Sequence, residues 1–120
     1  MSHVEGFNNK SIGEGSHAEG SSNTVRGTYS HGEGQYNIVD GIGAHGEGRY
    51  NNIAGDDSHA EGNENKITGT GNHAEGKTNK ILESINSHAE GSGNTINTGN
   101  SSHVQGQNNT LTGNYSHISG

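Results

Sequence analysis

Every histidine in this chain holds the same place in a recurring unit, and that periodicity leaves few folds open. His3, His17, His31, His45, His59, His73, His88, His103 and His117 stand fourteen residues apart, except for two intervals of fifteen, from His73 to His88 and from His88 to His103. Three residues after each His comes a Gly: Gly6, Gly20, Gly34, Gly48, Gly62, Gly76, Gly91, Gly106 and Gly120. Six after it, in all eight complete units, comes an Asn: Asn9, Asn23, Asn37, Asn51, Asn65, Asn79, Asn94 and Asn109. A unit repeated this way is one structural module that packs on its neighbours in a solenoid.

The second unit shows what the module is. Ser16, Ala18 and Gly20 alternate with His17 and Glu19, the period-two signature of a strand. Ser21-Ser22 suit a tight turn, Asn23 to Gly27 form a second alternating stretch, and Thr28-Tyr29 close the unit. Each unit is therefore expected to be one coil of two short strands, stacked on the last at about 4.8 Å. Eight coils and a terminal half coil then make one repeat domain over 1–120, a flat rod roughly 40 Å long. Helix competes poorly, because Gly and Asn recur throughout and no apolar stripe follows a period of 3.6.

Alternation also assigns faces. The small set typified by Ser16, Ala18 and Gly20 is expected inside the roll, opposite branched residues of the second strand: Val25, Val39, Ile53, Ile67, Ile81, Ile96 and Leu111. The Asn column would point inward too, bonding turn backbone or stacking as an amide ladder. Gly27, Gly41, Gly55, Gly69 and Gly113 are assigned to sharp turns. In the first unit Ser11 takes the apolar position and Ile12 falls one late, which predicts a loose or capping coil. The two longer units carry their extra residue within 83–86 and 97–101, where it is expected to bulge out while the registers hold.

Composition sets the limits. Only 22% of the 120 residues are hydrophobic, and 22 are Gly. Without the repeat such a chain reads as disordered, since so little apolar area cannot offset the entropy of ordering. A thin core of Ile, Val and Ala points to reinforcement by oligomerisation. A net charge of −7 argues against a nucleic-acid surface, and no apolar run is long enough to insert in a membrane. With no Cys there are neither disulfides nor thiolate metal sites. Met1-Ser2-His3 already lies in the repeat with no signal-peptide pattern, and Ser116 to Gly120 make half a coil, so a longer parent chain is expected.

No catalytic constellation emerges, and no cofactor motif. Adjacent Ser16 and His17 would point to opposite faces of a strand, which rules them out as nucleophile and base. The carboxylates recur once per coil and single out no pair. No Gly-rich loop leads into a helix, and the nine-residue calcium-roll repeat is missing. The chain is read as non-enzymatic.

The pattern S-x-A-x-G at this spacing, seen at Ser16-x-Ala18-x-Gly20, Ser58-x-Ala60-x-Gly62 and Ser87-x-Ala89-x-Gly91, resembles the head repeat of trimeric autotransporter adhesins, the YadA-like head. The form Ser-His-Ala-Glu-Gly is similar to a variety in Gram-positive surface proteins and in phage or prophage tail-fibre proteins. This resemblance covers essentially the whole chain. It implies a left-handed parallel β-roll and a homotrimer around one axis. It further implies an adhesive or spacer segment outside the cell, on a cell or virion surface, facing a host-surface or matrix receptor or a glycan. In that family the two x positions are usually apolar and pack between subunits. Here they are His and Glu, so this face is either a polar ladder between chains or a solvent face in a different assembly.

The outward columns are the nine His and, two residues on, Glu5, Glu19, Glu33, Glu47, Glu61, Glu75 and Glu90, followed by Gln105 and Ser119. Three readings stay open for them. They could be a hydrogen-bonded ladder and subunit interface, a set of Zn²⁺ or Ni²⁺ ligands, or a proton switch. Nine added protons would carry the net charge from −7 to +2. A receptor, if this segment reads one, would meet variable turn and surface residues such as Arg26, Tyr29, Tyr36, Arg49, Tyr50, Asp56, Asp57, Lys66 and Lys80.

Overall fold

The computed structural model describes residues 1–120. It is an all-β parallel solenoid without helix, in which each repeat closes one flattened coil. One strand starts at every His and runs five residues, as in His17–Ser21, the last being His117–Ser119. These strands form a nine-stranded parallel sheet in chain order. A second, eight-stranded parallel sheet holds the short strands, such as Thr24–Val25 and Lys66–Ile67. Register is strict: His17 pairs with His31, Glu19 with Glu33, and Val25 with Val39. The stack measures 40 × 21 × 12 Å.

The second strand is shorter than the alternation suggests. Only two residues of the five expected pair as strand, and the first strand starts one residue later, at His17 rather than Ser16. The cause is the number of corners. Each coil bends at left-handed residues, among them Gly20 (φ 102°), Ser22 (φ 61°) and Tyr29 (φ 55°). Such corners interrupt the alternation without erasing it from the sequence.

Ser16 and Ala18 do point inward, against Val25, but Gly20 is exposed at a corner. Its φ of 102° excludes ordinary side chains, and a Cβ there would collide with the Gly34 carbonyl oxygen of the next coil. Of the five glycines assigned to sharp turns, Gly113 does have a positive φ (138°), while the other four have a different role from the one expected. Gly27, Gly41, Gly55 and Gly69 are not in the left-handed region. A Cβ on any of them would strike the carbonyl of the following coil, so close stacking selects Gly there.

The interior is a single apolar file. Val25, Val39, Ile53, Ile67, Ile81 and Ile96 are 0% exposed and Leu111 is 3% exposed. Ala18, Ala60, Ala74, Ala89 and Val104 face them from the other sheet. Each such Val or Ile contributes about 2 kcal/mol by leaving water. Gly32 and Gly46 take the Ala place where methyls of Val25, Val39 and Ile53 already fill the space.

Both longer coils keep register on either side: His73 pairs with His88, Ile81 with Ile96, and His88 with His103. The surplus residues are Glu83, at φ 50°, and Thr98, both exposed on the turn edge. The first coil pairs in full register with the second, yet Val4, Phe7 and Ile12 lie exposed and Ser11 replaces the core side chain. It is an end layer with backbone order and no apolar filling.

Candidate functional site: a histidine–glutamate ladder

Strand alternation puts His and Glu on the outer face of the long-stranded sheet, while pairing in register stacks each on its counterpart. From His17 to His117, consecutive imidazoles lie 4.7–4.9 Å apart between centroids and within 7° of parallel. Only His3 breaks the stack, meeting His17 edge-on at 76°. The spacing is the strand separation itself, so the backbone ladder determines the stack.

Six of the nine imidazoles lean towards the carboxylate of their own strand. His17 Nε2 lies 3.4 Å from Glu19 Oε2, His31 3.5 Å from Glu33, His45 3.8 Å from Glu47, His73 3.6 Å from Glu75 and His88 3.8 Å from Glu90. The end pair, His3 and Glu5, is 3.6 Å apart and more exposed. Three carboxylates also reach the imidazole of the following coil: Glu19 to His31 at 4.0 Å, Glu47 to His59 at 3.9 Å and Glu75 to His88 at 3.9 Å. Glu61 makes neither contact, and beyond Glu90 the carboxylate column gives way to Gln105 and Ser119.

From His17 to His103 the imidazole Nε2 atoms are shielded from solvent yet have no hydrogen-bond partner. The side chains as a whole are half-buried. The pKa values of His31, His59 and His88 are held below the usual 6.5, first by burial and then by the imidazoles on either side. Flanking carboxylates, Glu19 and Glu33 for His31, pull the other way and are outweighed. The face is thus an imidazole file beside a carboxylate one. Its chemistry is lone-pair donation, proton uptake or contact with another polar surface.

Two further columns carry structure instead. Asn23 Nδ2 donates to the Glu19 carbonyl (2.6 Å) and to the Gly34 carbonyl of the next coil (2.9 Å), while its Oδ1 accepts the Asn37 N–H (2.9 Å). Both roles anticipated for the Asn are therefore one: an amide ladder that bonds corner backbone. The Ser that precedes seven of the nine His was read only as small, but it also bridges coils. Ser58 Oγ donates to Gly69 O (2.9 Å) and accepts the Asn72 N–H (3.1 Å). Asn72, standing in that place one coil on, makes the equivalent bonds with Ser84 O and the Ser87 N–H. That exchange of Ser for Asn was the available signal, since the two share hydrogen bonding and not size.

The surface residues named from sequence are all exposed but do not gather into one site. Arg26 pairs with Asp40 of the next coil at 2.8 Å, and Asp56 accepts the Ile42 N–H, so both serve inter-coil bonding. Tyr36 and Tyr50 stack at 5.0 Å on one edge, with the Arg49 guanidinium over Tyr50. Tyr29, Asp57, Lys66 and Lys80 stand apart from that cluster along the other corners and the short-stranded sheet. No family model and no curated protein matches this chain.

Proposed function

We infer that this chain is a non-enzymatic rod segment of a surface adhesin or tail fibre, assembled as a homotrimer outside the cell. The supporting observation is the unbroken register of both sheets, which makes a stiff 40 Å element whose outer face repeats unchanged from coil to coil. A slab 12 Å thick with a single file of apolar residues gains from burying a second face, and the half-buried His/Glu columns are the most regular one it offers. The S-x-A-x-G resemblance supplies three as the number of chains. Identical edges presented three times let weak contacts add through effective concentration. Tyr36, Tyr50 and Arg49 form the aromatic part of such an edge, where a receptor or glycan would be met.

Light scattering on the purified chain tests the assembly. A trimer gives three times 12.4 kDa, and a monomeric mass at micromolar concentration overturns it. Binding of the rod to matrix proteins or glycans, lost in Tyr36→Ser/Tyr50→Ser, separates an adhesive segment from a spacer.

A further inference from the structure

The ladder has an irregularity that its sequence lacks. Glu19, Glu47 and Glu75 each touch two imidazoles, on their own strand and on the next. The remaining carboxylates touch one or none. His–Glu–His groups overlap along the column, His3/Glu5/His17 and His31/Glu33/His45 among them, but in three that share no residue the carboxylate reaches both imidazoles: His17/Glu19/His31, His45/Glu47/His59 and His73/Glu75/His88. In each, one ligand atom per residue lies within 4.8 Å of the other two.

We propose that each of these three groups chelates one divalent transition metal ion of borderline softness, Zn²⁺ or Ni²⁺. Two imidazoles and one carboxylate form a donor set suited to such ions and leave coordination positions for water or a further ligand. The Nε2 atoms involved are shielded and unpartnered, so coordination breaks no existing hydrogen bond.

Geometry determines how the site forms. Two nitrogens on one ion at about 2.1 Å can be no more than about 4.2 Å apart. Parallel rings 4.7–4.9 Å apart aim their lone pairs side by side, so the paired rings must tilt towards each other. Half-buried side chains on a face that the single chain leaves uncovered have room for this. A His tilted towards one neighbour turns away from the other, so a given His serves one ion at a time. Bound ions then sit two coils apart, about 9.6 Å, which limits their mutual repulsion.

Adjacency, not histidine content, is therefore what binds, and two variants with five His each isolate it. His17→Asn/His45→Asn/His73→Asn/His103→Asn leaves no two His on neighbouring coils. His3→Asn/His59→Asn/His103→Asn/His117→Asn keeps the pairs His17/His31 and His73/His88 with their carboxylates. Calorimetric titration of chelator-stripped, untagged protein with Zn²⁺ and with Ni²⁺ is expected to show three ions per wild-type chain. Two are expected in the pair-keeping variant, and affinity at least about tenfold weaker in the alternating one. Circular dichroism confirms that both variants keep their strands. Should either variant unfold, Glu19→Gln/Glu47→Gln/Glu75→Gln, which keeps every His, is expected to weaken binding by a similar factor. Equal binding by all variants, or none by the wild type, overturns the proposal. Light scattering during the titration keeps its outcome separate from that of the trimer.

Discussion

At the scale of single residues, Asn and Ser connect the stack more specifically than the apolar file does. Asn65 is 1% exposed; its amide donates to Glu61 O (2.8 Å) and Gly76 O (3.1 Å), and its Oδ1 accepts the Asn79 N–H (2.9 Å). Asn65→Ala removes three inter-coil and corner bonds and leaves the Asn79 N–H without its acceptor, and is expected to cost about 3 kcal/mol, read from chemical denaturation. Ala44 is the opposite case, since it takes the Ser place and has no hydroxyl. Ala44→Ser restores a donor and acceptor between coils and is expected to raise stability by about 1 kcal/mol, checked by the same measurement. The period alone revealed that Asn23 and its copies mattered and faced inward. Their triple bonding was not legible, because it depends on corners whose left-handed residues vary from Ser22 to Tyr36 to Glu64. Such variety leaves no compositional mark.

At the scale of the sheets, the alternation of Ser16, His17, Ala18 and Glu19 was enough to place the ladder outside and the Ala file within. Strand length was not legible, as alternation continues through Asn23 and Gly27 where pairing has already stopped. The role of Gly27 was misread for a related reason: a glycine chosen for crowding and one chosen for φ look alike in a sequence. Burial of the imidazoles, and after it their stacking at strand separation, also couples the sheet to pH. For His31, His59 and His88 the folded pKa lies below the usual 6.5. Between that lowered value and 6.5 the unfolded chain holds more protons, so stability falls as pH falls through this window and is complete above it. His17 and His45 face His31 from the adjoining strands, with Glu19 and Glu33 partly compensating. His45 and His73, with Glu47 and Glu61, stand likewise about His59, and His73 and His103, with Glu75 and Glu90, about His88. The melting temperature in excess chelator is expected to be lower at pH 5 than at pH 7.5; equal values would contradict this sign.

At the scale of the whole molecule, most contacts join a coil to its two neighbours, as in any linear repeat. Removing residues 46–59 joins His45 to Ala60 and leaves every column in phase. The shortened chain is expected to fold with the same circular dichroism per residue and to lose about 4.8 Å of length by small-angle scattering. Removing 46–60 leaves one interval of about thirteen residues, one short and with nothing to swing outward, and is expected to abolish cooperative unfolding. The tolerance already present at Glu83 and Thr98 has a simple meaning. A surplus residue is absorbed where it can swing outward at a corner, and nowhere along a strand. Such a molecule behaves like a ruler graduated in whole turns: evolution can set its reach by duplicating or losing one graduation, while small errors in the chain are shunted to the margin and leave the scale intact.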